Sequence, residues 1–535
     1  MLFNSFHFAY FFAIVFPTYW LLRNRLKAQN LLLLSAAYYF YGCWNWKFLS
    51  LLVISTAVDY CCGLLVERAE IPLKRKLYLA LSMVVNLGML GYFKYCNFFV
   101  DSLQELLARS GIETSLPTLS VLLPIGISFY TFQSMAYVID VYRRDIPATK
   151  NFVQFATFVS FFPHLVAGPI MRPTILLPQV QNKRTFNVQQ FYEGSYLIFW
   201  GLVKKVVVAD NLALIANDLF GRWETIDGGL ALLAVYAFAF QIYCDFSGYT
   251  DVARGVAKCL GFELALNFNL PYFATSPKDF WARWHISLST WLRDYLYIPL
   301  GGNKGGKAVI VGNLLLATII VGLGFGLYLT AEQTTTVAAW KVSVPNLTLF
   351  LSIGLLALFV LLVMIRGQRP MLFRNLMLTM IIGGLWHGAA WTFVAWGFYQ
   401  GILLVGHRLA EPLLRRVQPK DGVDAACWKA VRIFVTFHLV CLGWLLFRAE
   451  SMTQAWGMLS AILNDFAIPA SAYLLPVLVV IIPLLIVQMA QYVSGDLNII
   501  FRTPWYVRSV FYTLLFYAFV LGGEFGGGQF IYFQF

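Results

Sequence analysis

The chain has 535 residues, of which 59% are hydrophobic and only 12% charged, whereas an ordinary soluble domain carries about a quarter charged residues. That composition excludes a water-soluble globular enzyme. Lys and Arg number 39 against 26 Asp and Glu, a net charge of +13, and in so apolar a chain the excess reads as membrane topology, with no nucleic-acid partner.

A membrane helix needs about 20 largely apolar residues to cross roughly 30 Å of hydrocarbon. Such runs recur near 5–22, 30–46, 48–66, 78–99, 119–140, 191–219, 229–258, 307–328, 346–365, 372–412 (two segments), 430–447, 471–493 and 506–522. The predicted fold is therefore an all-α polytopic membrane protein of roughly 11–14 transmembrane helices. A run such as Val477 to Ile482 does not alternate, which excludes a membrane β-barrel. The first run lacks a basic leader and an A-x-A-like site, so it is expected to stay as a span. Loops after the first, third and fifth spans hold Arg23, Arg25, Lys27, Arg68, Lys74, Arg75, Lys76, Arg143, Arg144 and Lys150, while the alternate loops hold only Lys47 and Arg109. Basic loops prefer the cytoplasm, which predicts an extracytoplasmic N-terminus. The eight cysteines fall mostly within apolar runs and read as small hydrophobes, with neither a disulfide framework nor a metal site.

From about Phe161 to Gly401 the runs are interrupted by Pro, Gly, His and charge. Such interruption at membrane depth is tolerated only where backbone faces protein or a water-filled cavity. The first interrupted element, Phe161 to Ile170 with Pro163, His164, Gly168 and Pro169, suits a re-entrant segment or, equally, a Pro-kinked structural helix. In the second, Gln241, Asp245 and Tyr249 share a helix face, and Asp251 can pair with Arg254. An ionised group in a span normally faces a cavity or a partner, so Asp245 is either functional or a structural ion pair.

The third element runs from Ser276 to Tyr295. Ser276, Pro277 and Asp279 form a helix-start signature. Trp281, Trp284, Leu288, Trp291 and Tyr295 recur at helical spacing, and Asp279 and Arg283 can pair. The expectation is one amphipathic helix lying at the interface or partly re-entering, with His285 either a site residue or simply solvated. The fourth, Gly383 to Thr392, places Trp386 and His387 among small residues that let another backbone, or a substrate, come close. A lone histidine in an apolar helix is either a packing residue or a neutral base with a free lone pair.

No G-x-S-x-G elbow, H-E-x-x-H or P-loop is present, so hydrolase, zinc and nucleotide-triphosphate readings drop away. A hydroxyl attacking an activated ester is chemistry that a buried imidazole can assist. A solute or ion transporter with broken helices around Asp245 and Asp251 is a competing class, and a docking scaffold is a third.

The stretch from Asp279-Phe280-Trp281 through Arg283-Trp284-His285-Ile286-Ser287-Leu288 to Pro299-Leu300-Gly301-Gly302-Asn303, together with Gly384-Leu385-Trp386-His387-Gly388-Ala389 and Trp391-Thr392-Phe393, resembles the membrane-bound O-acyltransferase family. Within it the chain is similar to the bacterial alginate O-acetylase branch. The opening Leu2-Phe3-Asn4-Ser5, the run Leu123 to Gln133, Val166-Ala167-Gly168-Pro169-Ile170 and the closing Phe530 to Phe535 also fit. The two histidine motifs stand 102 residues apart, longer than the branch leads one to expect, which points to an inserted helix pair at 308–368.

The resemblance implies N-terminal helices over 1–150, a catalytic core over 151–401 with re-entrant segments around a central tunnel, and C-terminal helices over 402–535. It implies an acyl donor, acetyl-CoA or an acyl carrier, reaching the tunnel from the cytoplasm, with no bound cofactor. The acceptor hydroxyl would sit on an envelope polysaccharide or on an extracytoplasmic SGNH-type partner. His387 carries over as the essential histidine and His285 as the second. Trp386, Asp245, Arg283, Trp284, His164 and Gln241 are supporting candidates, and Arg172, Lys204, Lys205, Arg283 and Lys304 are basic groups that could meet donor phosphates or merely satisfy the positive-inside bias. Relatives in this family also acetylate peptidoglycan or transfer D-alanyl groups to teichoic acid. The expected location is a bacterial cytoplasmic (inner) membrane.

Overall fold

The computed structural model describes residues 1–109, 112, 114–119, 122–302, 368–419, 421–526 and 530–531. The predicted spans near 307–328 and 346–365, the bulk of the 308–368 insertion, Asn303, Lys304 and the closing residues 532–535 lie outside the described residues. The helices are α1 (Phe6–Leu21), α2 (Leu26–Asn45), α3 (Leu49–Arg68), α4 (Pro72–Leu90), α5 (Cys96–Arg109), α6 (Ile127–Arg143), α7 (Phe152–Ser160), α8 (Pro173–Gln181), α9 (Val188–Val203) and α10 (Asp210–Gly221). They continue with α11 (Gly228–Cys259), α12 (Pro277–Arg283), α13 (Ile286–Leu292), α14 (Gln368–His387), α15 (Trp391–Val417), α16 (Gly422–Arg448), α17 (Met452–Asn464), α18 (Ser471–Ser494) and α19 (Trp505–Gly522). Among the described residues, six helical stretches are long and apolar enough to cross a bilayer: Leu26–Arg68, Pro72–Glu105, Gly228–Cys259, Gly422–Arg448, Ser471–Ser494 and Trp505–Gly522.

The basic loops of the front half gather at one face. Arg75 donates to the Tyr142 carbonyl, Tyr60 to that of Lys150, and the Ala148 N–H to Glu67. Tyr19 and Trp20, at the end of α1, donate to the carbonyls of Leu260 and Cys259 at the end of α11. The predicted span at 119–140 begins later than expected, because Gly126 takes a left-handed φ of 77° and α6 starts only at Ile127.

The centre is α11, 32 residues long and buried along most of its length. It packs on α9 through two pairs of glycines, Gly194 against Gly255 and Gly201 against Gly248, where any Cβ would strike the facing carbonyl. In lipid, where apolar burial does not drive helices together, such close approach is a main source of adhesion. The carboxylates of α11 meet the π-helical turn Lys204–Ala209, which joins α9 to α10. Lys205 Nζ lies 2.7 Å from Asp245 and 2.8 Å from Asp210, and Lys204 Nζ lies 2.7 Å from Asp251, which also faces Arg254 at 3.4 Å. These are the pairings that buried charge at membrane depth requires. At the periphery, α19 buries only Leu515, and a cavity of about 790 Å³ with mostly apolar walls separates α18 and α19 from α9 and α10.

Candidate active site

The site is built where helices break. Ser276 Oγ accepts the Asp279 N–H at 3.1 Å, and Pro277 takes the first helical position of α12, as the start signature predicts. The single amphipathic helix expected over 276–295 does not form. Trp284 is extended at φ −101° and ψ 129°, and His285 follows in the left-handed region at φ 42° and ψ 52°, so α12 and α13 are seven residues each. Histidine is among the residues enriched in that region, but holding it there costs about 1–3 kcal/mol.

Asn267 holds it there. Its carbonyl accepts the Ile286 N–H at 2.9 Å, and its Oδ1 accepts the Ser287 N–H at 3.1 Å and the Ser287 hydroxyl at 2.9 Å. His285 Nδ1 lies 3.2 Å from the same Oδ1. A backbone N–H can only donate, so the amide atom facing Ser287 is the oxygen, and His285 Nδ1 must carry the proton that it shares with that oxygen. The lone pair of the neutral ring is then on Nε2. Ser287 Oγ in turn accepts the Ile170 N–H at 3.0 Å, which ties the broken 161–172 segment to this turn. His285 is fully buried, which overturns the solvated reading.

His387 arrives differently, as the last residue of α14. Gly384 lies so close to Phe393 and Gly397 of α15 that a Cβ would meet their backbone. The small residues thus admit a neighbouring helix. Helix ends leave carbonyls without intrahelical donors, and here Tyr95 donates to Leu385 O at 2.7 Å while Lys94 Nζ donates to Trp386 O at 2.6 Å and His387 O at 3.1 Å. The His387 ring is edge-on to Trp386, Trp396 and Phe447, with centroids 5.0, 5.1 and 5.3 Å away. Its centroid is 6.3 Å from that of His285.

Cavities flank the pair. One of about 30 Å³ is lined by Lys94, Ser128, Trp386 and His387, among others. It shares Ile125 with a neighbour of about 190 Å³ bordered by Tyr41, Trp44 and Val166. A third, of about 360 Å³, lies between α9, α11 and the end of α18 and is lined by Lys204, Tyr243, Arg254, Phe268 and Gln488. Phe268 also packs on His285, centroids 6.5 Å apart.

Of the predicted site residues, His285, His387, Trp386 and Trp284 come together. Trp386 packs on both histidines, 5.7 Å from His285 by centroids, and Trp284 joins the aromatic wall, edge-on to Phe268 and tilted against Trp444. The other four candidates stand elsewhere in the fold. Arg283 bonds Asp279 at 2.7 Å and the Asn269 carbonyl at 3.3 Å, bracing the loop before α12. His164 is buried against Phe161 and 3.3 Å from Gln133 Nε2. Asp245 pairs with Lys205 and accepts the Ile531 N–H at 2.7 Å, and Gln241 lies one turn before it on α11. The carboxylates behind the transporter reading, Asp245 and Asp251, are thus both in ion pairs. Sequence reasoning missed Asn267 and Lys94. Lys94 carried a usable signal, being the single charged residue in the 78–99 run.

The family model described as membrane-bound O-acyltransferase matches residues 143–330. The probable alginate O-acetylase of Azotobacter vinelandii is 40% identical over 467 residues, covering 87% of this chain and 78% of its own length. The corresponding protein of Pseudomonas aeruginosa is also 40% identical, over 87% of this chain and 75% of its own length. The peptidoglycan O-acetyltransferase of Helicobacter pylori is 32% identical, over 87% of this chain and 80% of its own length. With likeness of that extent carried through both histidine motifs and the helices that present them, the chain belongs to the membrane-bound O-acyltransferase family.

Proposed function

We propose that this multi-pass membrane enzyme transfers acetyl groups from a cytoplasmic donor, acetyl-CoA or an acyl carrier, to hydroxyls of an alginate-like exopolysaccharide. Transfer is direct or relayed by an extracytoplasmic SGNH-type partner. The observation that carries the reading is the pairing of His285 and His387, 6.3 Å apart by ring centroids, with one cavity lined by His387 and another lined by Phe268, which packs on His285. The cavity bearing Lys204 and Arg254 lies toward the end of α11 that meets the basic loops and suits a phosphate-bearing donor, while the cavity of about 190 Å³ bordered by Tyr41, Trp44 and Ile125 suits the acceptor, leaving the one of about 30 Å³ at His387 for the reacting groups. The ten basic residues in alternate front loops against two in the others support an inner-membrane orientation with the N-terminus outside.

His387 takes the proton of the acceptor hydroxyl as its oxygen bonds to the acyl carbon. The carbon–sulfur bond of the donor then breaks, and the thiolate leaves with the proton. A positioned base contributes about 10²–10⁴-fold. His285, its ring oriented by Asn267, packs beside His387. The test is the acetyl-ester content of secreted polysaccharide from cells carrying His387→Ala at normal protein level. Loss of acetylation is expected, and unchanged acetylation refutes the catalytic assignment.

The Helicobacter pylori relative favours a second reading, in which the acceptor is peptidoglycan. Ester analysis of both polymers from the same cells separates the two, and D-alanyl esters in place of acetyl would overturn the choice of acyl group.

A further inference from the structure

Among the described residues, Lys94 is a cation with no carboxylate partner. It lies on the π-helical turn Gly91–Tyr95, 22 residues beyond the start of α4, about 33 Å of helix from the basic loops at 1.5 Å per residue. Lys204 and Lys205 are each matched by aspartates. Among the described residues, Lys94 has instead the carbonyls of Trp386 and His387, at 2.6 and 3.1 Å, and Ser128 Oγ at 3.5 Å.

Two points argue that capping α14 is not its whole role. Tyr95, the next residue, caps the Leu385 carbonyl with a neutral hydroxyl, so the task does not require charge. A helix C-terminus also carries only about half a negative charge, and the Trp386 ring 6.0 Å from Nζ adds only a modest cation–π attraction, which leaves part of the charge of this half-buried ammonium uncompensated. Of its three N–H groups, the one toward Ser128 is weakly used at 3.5 Å. Lys94, Ser128 and His387 line the same cavity of about 30 Å³, room for about one water-sized group. The carbonyl oxygen of an acyl donor is such a group.

We propose that Lys94 is a catalytic residue whose ammonium stabilises the oxyanion formed beside His387 during acyl transfer. The assignment rests on the reading of His387 as the base. As the acceptor oxygen bonds to the acyl carbon, its proton passes to His387 and the carbonyl π pair moves onto oxygen, which faces Lys94 Nζ. When the pair returns, the carbon–sulfur bond breaks, and sulfur leaves with its electrons and takes the proton from His387. Lys94 neither gains nor loses a proton.

The test uses the full-length protein in proteoliposomes, with labelled acetyl-CoA as donor and a mannuronate oligosaccharide as acceptor. Lys94→Gln is expected to lower kcat about 10²–10³-fold, the usual loss for one oxyanion donor, with KM for acetyl-CoA within about threefold and an unchanged melting temperature. Lys94→Arg should recover at least about tenfold of that loss, and Tyr95→Phe, which removes the neutral cap, should keep kcat within about tenfold. Lys94→Met replaces Lys94→Gln if the latter does not accumulate. Transfer that requires His387 but survives Lys94→Gln within threefold overturns this assignment alone. So does a change confined to KM, or a loss in Tyr95→Phe equal to that in Lys94→Gln. Wild-type transfer no greater than that of His387→Ala refutes the functional reading itself, and this assignment with it.

Discussion

The two histidines come side by side by opposite means. His387 sits on the end of a regular helix, held by a tight glycine-mediated hairpin with α15 and by capped carbonyls. His285 sits on a strained left-handed residue between two short helices, held by one asparagine from the preceding loop. A regular element fixes position through many small contacts and tolerates the loss of any one. A strained turn concentrates the same task in one side chain, which also dictates where the imidazole proton resides. The two sites should therefore fail differently when perturbed.

The largest expected effect is chemical: His387→Ala lowers acetyl transfer by about 10²–10⁴-fold while its melting temperature in detergent stays close to the wild type. Next comes Asn267→Ala, which leaves three donors without their acceptor and should cost roughly 3 kcal/mol of stability, read as a lower melting temperature together with slower transfer. Asn267→Asp, which keeps the acceptor, should restore much of both. If Asn267→Ala melts like the wild type, the turn is held by something else and the contrast collapses. Gly384→Ala drives a Cβ into the backbone of α15 and should cost about 2 kcal/mol, with acetylation falling in proportion to the folded fraction. The smallest effect is expected for Asp279→Asn. It breaks a pair with Arg283 whose side chains are about a quarter exposed, so a change of at most about 1 kcal/mol is expected. A larger loss would mean that the start of α12 helps to hold His285.

Much of this was readable beforehand because membrane helices and helix starts are local properties. The two-helix reading of 372–412, the cap at Ser276 and the pairs Asp251 with Arg254 and Asp279 with Arg283 all rest on residues within a few positions of each other, and the structure contains them. The break at Trp284–His285 was not readable, since a run with clean helical spacing gives no hint that an asparagine 18 residues earlier will hold one residue left-handed. Buried polar groups in spans are often functional, which is what singles out Asp245 and His164 in the sequence. Their partners, Lys205, Ile531 and Gln133, are set by tertiary structure that no local pattern reports.

The Asp245 bond to Ile531 joins residues 286 positions apart, and Phe530 packs on Phe246, which lies against His285. The wall around His285 is thus finished by a stretch that the ribosome delivers after every described helix. Contacts of such sequence separation form slowly, so a nascent molecule should dwell with Asp245 held by Lys205 alone and the His285 pocket still ajar, its competence set by the timing of assembly.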